Sequence, residues 1–302
     1  MVESRRAEEL KHKAADSYAR LEQSRKLGPL VAVAKRFFEI DGLTYGGLLA
    51  IELFTTVLPL VIIGYSYISG FSENASLGVV IVRQLGLDSE GAEVVRAAFG
   101  SSSGLKSTWT FLGVLGFMLW GIPMAITVAG MFAKAWRREQ FSIGTRIWRG
   151  IVWFLLYIVV LIVRERILKG PHVSDLGRVP LFLVGCIPTW VFWSLSPVLL
   201  VRDGGRGRKF LLWAGLAGVI IDGVIMGIAV RIVFPMLLSG WAQFGPIGVS
   251  MTLMTWAGVV GIAWVVTACA GAIVWERLAP ATTVIEAQTS VPDAPTGSST
   301  QA

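Results

Sequence analysis

Six long apolar stretches divide the chain, separated by short segments where charge, Gly and Pro collect. They lie at about residues 45–69, 109–133, 150–163, 179–201, 210–234 and 247–275. An α-helix needs ~20 apolar residues to cross ~30 Å of hydrocarbon, and most of these runs reach that length. The third is short, but runs on through 164–168 if its basic ends snorkel to the interface. The pattern predicts an all-α integral membrane protein, a bundle of six transmembrane helices.

The flanks read differently. Residues 1–28 form a polar, charge-mixed extension in which Glu8, Glu9, Lys11 and Lys13 suit a solvated helix, and Gly28-Pro29 ends it. Beyond it, Leu30, Val31, Val33, Ala34, Phe37, Phe38 and Ile40 share one face, with Lys35, Arg36, Glu39 and Asp41 opposite. That spacing predicts a short helix in the membrane interface, ahead of the first span. The membrane domain is expected over 29–277. Residues 278–302, rich in Ala, Thr, Ser and Pro, are expected to be disordered. In the long connection 70–108, Leu77, Val80, Ile81 and Leu85, then Val94, Val95, Ala98 and Phe99, are spaced for one or two amphipathic helices. These would rest on the membrane boundary or against the bundle. No cleavable signal peptide is expected, because the opening segment is charged.

Composition agrees with this class. Of 302 residues, 54% are hydrophobic and 16% charged, against roughly 25% charged in soluble domains. The net charge of +7 is not spread as a nucleic-acid footprint, because the basic residues sit in short loops beside the spans. Arg25, Lys26, Lys35 and Arg36, then five between Lys134 and Arg149, then Arg202, Arg206, Arg208 and Lys209, then Arg277, fall on one side. The other side carries about half as many, among them Arg83, Arg96, Lys106, Arg164 and Arg166. The positive-inside rule then places both termini in the cytoplasm. The basic run from Gly204 to Lys209 suits anionic lipid headgroups or serves orientation alone. Cys186 and Cys269 lie in apolar runs, giving neither a disulfide framework nor a metal pair. They are expected as small residues between helices.

Charges inside the spans are the sharpest signal. Each costs about 2.5–3.5 kcal/mol near a helix centre by insertion scales. At 1.5 Å per residue, Glu52 lies roughly 10 Å into its span, Asp222 roughly 18 Å and Arg231 roughly 31 Å. Arg231 is therefore expected at the outer interface. Glu52 is expected to snorkel or face a cytoplasmic vestibule. Asp222 is the candidate intramembrane polar site. It either lines a polar cavity or bonds a neighbouring helix, for instance at Thr55, Thr56 or Ser196. Around it, Gly223 and Gly227 have the small-residue spacing of close helix contact.

One internal similarity stands out. Thr55 and Thr56 precede Pro59 in the first span, and Ser194 and Ser196 precede Pro197 in the fourth. Three spans apart, the two segments cross in opposite directions, as in an inverted three-plus-three repeat, unless chance placed them so. Pro59 and Pro197 are expected to break or kink their helices.

The sixth span, with Phe244-Gly245-Pro246-Ile247-Gly248, then Trp256, then Ala270-Gly271-Ala272, resembles the last span of the YihY/BrkB family of bacterial inner-membrane proteins. Pro59 after Thr55 and Thr56, and the basic, Trp-bearing connection 134–149, also resemble that family. The resemblance covers about residues 30–277. Two positions depart from it: Ile273 stands where many members carry an acid, and Ala133 where many carry Asn. The resemblance implies six helices and a plasma-membrane address. Members carry ribonuclease or virulence-factor labels, and movement of lipids or small solutes is a common supposition for them.

Ribonuclease chemistry does not fit these residues. It needs paired histidines or clustered metal-binding carboxylates, and the two histidines, His12 and His172, are placed on opposite sides of the membrane. Gly100-Ser101-Ser102-Ser103-Gly104 matches the hydrolase elbow only in letters, since a flexible loop replaces the strand and helix. The basic Gly-rich run at 204–209 lacks the spacing of a P-loop. No cofactor, metal or nucleic-acid partner is expected, only membrane lipids. The expected function is transport or translocation of a lipid or small amphipathic solute. The alternative is a non-transporting scaffold or envelope-maintenance protein.

Overall fold

A computed structural model describes residues 24, 27–68, 91–93, 106–168, 178–205 and 207–280. The expectations for 1–23, for the amphipathic stretches between 70 and 108, for Gly100–Gly104, for His12 and His172, and for the tail beyond 280 lie outside those residues. Among the described residues the chain is helical, with no β-strand. The helices are α1 (Gly28–Glu39), α2 (Gly42–Ile68), α3 (Lys106–Ala135), α4 (Ile143–Leu168), α5 (Arg178–Leu200), α6 (Arg208–Gly218), α7 (Met226–Trp241) and α8 (Pro246–Leu278). A π-helical segment, Val219–Ile225, joins α6 to α7 without a break.

Five segments are long and apolar enough to cross a membrane: Leu115–Ala135, Ile143–Ile167, Pro180–Leu200, Arg208–Phe244 and Ile247–Leu278. The apolar part of α2, Gly42–Val57, is shorter by that measure. The third predicted span starts earlier than the expected residue 150, at Ile143, and runs through Arg164 to Leu168, the extension allowed for it. Large apolar side chains point outward, among them Leu119, Leu183, Ile228 and Met236. Inward lie polar groups such as Thr56, Thr189, Ser196 and Asp222. This is the reverse of a water-soluble fold and fits hydrocarbon as the surrounding solvent.

Neighbours in sequence are neighbours in space. α2 packs on α3, α3 on α4, α4 on α5 and α5 on α6; α6 and α7 pack on α8, which returns to α2. The closing pair is close because it meets through glycines. A Cβ on Gly261 would lie 2.7 Å from the carbonyl oxygen of Gly46, so small residues there let the two backbones approach. The core is aromatic: Trp153 and Tyr157 from α4 stack on each other, and with Phe192 and Trp193 from α5 and Trp264 from α8 they meet edge-on or tilted, with centroids such as Trp153–Trp264 at 5.0 Å.

One end of the bundle is tied by charge. Arg36 of α1 donates to both carboxylate oxygens of Glu276 at 3.0 and 2.8 Å, and to the carbonyl of Ala135 at 2.5 Å. Arg137 pairs with Glu39, and Arg202 with Glu139. Arg149 donates to the carbonyl of Leu199 at 3.0 Å. The start of α2 and the ends of α3, α5 and α8 therefore share one end of the molecule. Arg36, expected on a solvated face, is in fact only 3% exposed. From the last turn of α1 it reaches the ends of α3 and α8, where the Ala135 carbonyl and Glu276 receive its guanidinium. Phe37 and Ile40 are buried beside it, whereas Leu30 and Phe38 face outward.

Pro59 and Pro197 do not end their helices. The α2 backbone is helical through residue 59, and α5 runs through both Pro188 and Pro197. In hydrocarbon a broken helix would expose backbone groups that water cannot reach, so helices tolerate proline rather than stop at it. Ser194 and Ser196, just before Pro197, bond the carbonyls of Trp190 and Phe192.

Candidate functional site

The site is built where α5 and α6 approach most closely. Gly215 faces the Ser194 hydroxyl and the Trp190 carbonyl, and Gly218 faces the Cβ–Cγ edge of Trp193. Any larger residue at Gly218 would meet that indole. Beyond Gly218 the helix changes to π geometry over Val219–Ile225. Such a segment inserts one extra residue, shifts the helical phase and loosens the backbone bonding. Asp222 lies in the middle of it and is 7% exposed.

Two donors from neighbouring helices hold its carboxyl group. The Tyr157 hydroxyl donates to Oδ1 at 2.9 Å and the Trp193 indole Nε1–H to Oδ2 at 3.2 Å. The loosened backbone finds its own partner: Arg164 of α4 donates to the carbonyl of Gly223 at 2.7 Å. A Cβ at Gly227 would lie 3.2 Å from the same guanidinium nitrogen. Gly227 thus makes room for an arginine, whereas a Cβ at Gly223 would meet Val219 at 3.5 Å and Thr189 of α5 at 4.0 Å. Asp222 does not bond Thr55, Thr56 or Ser196, because α4 and α5, not α2, lie against the π segment. Ser196 accepts instead from Trp153 Nε1 at 2.8 Å.

Glu52 occupies a different place. It is half-buried between α2 and α3 and accepts from the Thr127 hydroxyl at 2.7 Å, rather than only snorkelling to water. Among the described residues it shares no hydrogen-bond partner with Asp222, so the two acids form two sites. Arg231 is exposed. Cys269 is buried, Cys186 partly so, and both are free thiols. No cluster of three or more His, Cys, Asp or Glu suited to a metal ion occurs among the described residues. At the charged end, Arg137 holds the Glu39 carboxyl below its usual range, chiefly by direct hydrogen bonding and against a smaller opposing effect of burial.

No protein-family model, curated protein or solved structure matches this chain. The site must therefore be interpreted from its own chemistry. Sequence reasoning found Asp222 from the cost of a charge in an apolar run. It missed Tyr157 and Trp193, which look like ordinary span aromatics, and it placed Arg164 at the outer end of the third span without a partner on another helix. A position for Arg164 one helix away from an intramembrane acid was the available signal, but a phase shift in the helix carrying Asp222 is not written in residue spacing.

Proposed function

We propose that this chain is a six-span protein of the bacterial plasma membrane that translocates a lipid or small amphipathic solute. The observation that carries the reading is the π-helical segment itself: an acid, two glycines and a neighbouring arginine meet at a loosened point inside an otherwise regular transmembrane helix. π-Bulges of this kind recur at functional sites, and intramembrane acids mark pathways by default. The resemblance to the YihY/BrkB family supports the same class of function.

Parity supports six crossings. Arg36 and Glu276 bring the start of α2 and the end of α8 to one end of the bundle, so the number of crossings between them is even. Five spans would leave them on opposite sides, and α2 supplies the sixth. That same end gathers the basic connections, which argues for cytoplasmic termini and for anionic headgroups near Arg202, Arg208 and Lys209. The three-plus-three repeat rests on the Thr55–Pro59 and Ser194–Pro197 likeness.

A second reading has its own observation. The aromatic cluster fills the centre of the ring and bonds both oxygens of Asp222, which suits a rigid, non-transporting scaffold. Reconstitution into vesicles separates the two. Purified protein is assayed for scrambling of fluorescent phospholipids and for efflux of an entrapped amphipathic dye. Transport predicts activity above protein-free vesicles and at least tenfold loss in Asp222→Asn with unchanged insertion. Absence of any flux, or full activity in Asp222→Asn, favours the scaffold.

A further inference from the structure

Hydroxyls in transmembrane helices ordinarily bond the carbonyl four residues back. In this chain Thr55, Ser194, Ser196, Thr252, Thr255 and Thr267 all do so. Thr56 does not. Its Oγ1 is fully buried, the residue is 0% exposed, and it has no hydrogen-bond partner among the described residues. The carbonyl it would use, that of Glu52, receives the Thr55 hydroxyl at 3.2 Å instead. One turn back on the same face, Oε2 of Glu52 is likewise buried and without a partner.

These two oxygens belong together geometrically. Residues four apart on a helix are neighbours with Cβ atoms roughly 5–6 Å apart, and each Cβ leans toward the helix N-terminus. The Thr56 hydroxyl therefore leans toward the Glu52 turn, yet the two do not bond each other. Across the α2–α3 interface, Thr127 donates its proton to the other oxygen of Glu52 and keeps lone pairs to offer. A buried oxygen left unsatisfied costs on the order of 1–3 kcal/mol, more when charged. Three oxygens, one of them a carboxylate's, each have lone pairs to offer, the all-oxygen donor set that a hard cation takes. A single carboxylate balances a single positive charge, whereas a divalent ion would leave net charge in hydrocarbon.

We propose that Glu52 Oε2, Thr56 Oγ1 and Thr127 Oγ1 form a binding site for one monovalent cation, sodium, between α2 and α3. Glu52 supplies the charge. Thr56 supplies a neutral ligand released from backbone bonding, and Thr127 orients the carboxylate. The site is separate from Asp222 and stands whether or not the protein transports, since its test reads binding and not flux.

The test uses the full chain in nanodiscs, unfolded thermally in sodium, potassium or choline chloride at one ionic strength. Sodium is expected to raise Tm saturably above choline, with potassium weaker. The rise is lost in Glu52→Gln and Thr56→Val, retained in Thr56→Ser, which keeps the hydroxyl, and retained in Asp222→Asn. Binding of radiolabelled sodium by the folded protein follows the same pattern and covers a variant whose Tm is too low to compare. Equal Tm in sodium and choline, as a bridging water would give, overturns the proposal. So does a pH-dependent Tm without sodium dependence, or a sodium effect that survives in both Glu52→Gln and Thr56→Val.

Discussion

Trp193 donates its indole N–H to Asp222 across 3.2 Å, and the adjoining Cβ–Cγ–Cδ1 edge of the same side chain rests on Gly218, one turn before that acid. The missing side chain at Gly218 therefore sets where Trp193 lies, and Trp193 sets one of the two hydrogen bonds to the buried carboxyl group. A backbone position, an aromatic ring and an intramembrane charge are coupled through direct contact.

Gly218→Ala drives a methyl group into the Trp193 Cβ–Cγ edge. Overpacking of this kind costs about 1–3 kcal/mol. Gly240→Ala is the control, because nothing lies within 4 Å of a Cβ at Gly240, and alanine there gains helix propensity. Thermal unfolding of the full chain in detergent should show a lowered Tm for the first variant and an unchanged or raised Tm for the second. Equal behaviour would show that α5 and α6 can separate without cost.

Tyr157→Phe removes one donor to Asp222 and leaves the ring packing intact. Loss of a buried hydrogen bond to a charged group costs about 1.5–3 kcal/mol. The cost should shrink in an Asp222→Leu background, where Tyr157 has no acceptor to lose. A double-mutant cycle on chemical unfolding measures this coupling; additive effects would mean the 2.9 Å hydrogen bond contributes nothing.

Glu276→Ala removes the closest charged partner of the buried Arg36 guanidinium, which keeps the Ala135 carbonyl and the more distant Glu39 carboxylate at 3.7 Å. Breaking one partner from a buried pair costs about 3–5 kcal/mol, whereas replacing both by apolar groups is often neutral. Glu276→Ala should destabilise strongly and release α1 from α8, seen as faster proteolysis after α1. Arg36→Met with Glu276→Leu should recover most of the stability. Proteolysis unaltered by Glu276→Ala would mean that other packing holds α1.

The Glu39–Arg137 pair predicts a small acid dependence. The Glu39 pKa is lowered from 4.5, first by the hydrogen bond from Arg137. A carboxyl group lowered on folding contributes stability that is present above its unfolded pKa and is lost as pH falls through the folded value. The contribution should therefore fade below about pH 4.5. Both side chains are nearly half exposed, so salt screens the pair and the effect is modest. Comparing Tm from pH 6 to 3 (roughly the range over which such a carboxyl group titrates), Glu39→Gln should remove part of the acid slope at low salt and little at high salt. An identical slope in the variant would assign the acid dependence elsewhere.

The spans illustrate how far periodicity carries. α3, α5 and α8 lie within a few residues of the apolar runs that announced them, because run length is what hydrocarbon thickness selects. For α4 the apolar run left two ends open, at 163 or past Arg164 and Arg166 to 168, and the helix takes the longer one. Their helix continues since Arg164 has an acceptor on the neighbouring π segment. Arg36 was misplaced for a related reason. Amphipathic spacing assigns a charge to the polar face, and it cannot show that Glu276, 240 residues away in sequence, closes over that face.

Residue composition alone determined the class of this molecule: long apolar runs bounded by charge admit only helices in hydrocarbon, where each backbone group must bond within its own segment. The expense of a lone acid in such a run likewise singled out Glu52 and Asp222 from one dimension of information. Which groups meet those acids was decided only in three dimensions. The choice of Tyr157 and Trp193 for Asp222, and of Thr127 for Glu52, follows from which helices touch and from a π-helical phase shift between Gly218 and Met226. Both depend on packing between segments far apart in the chain, and local spacing carries no record of them.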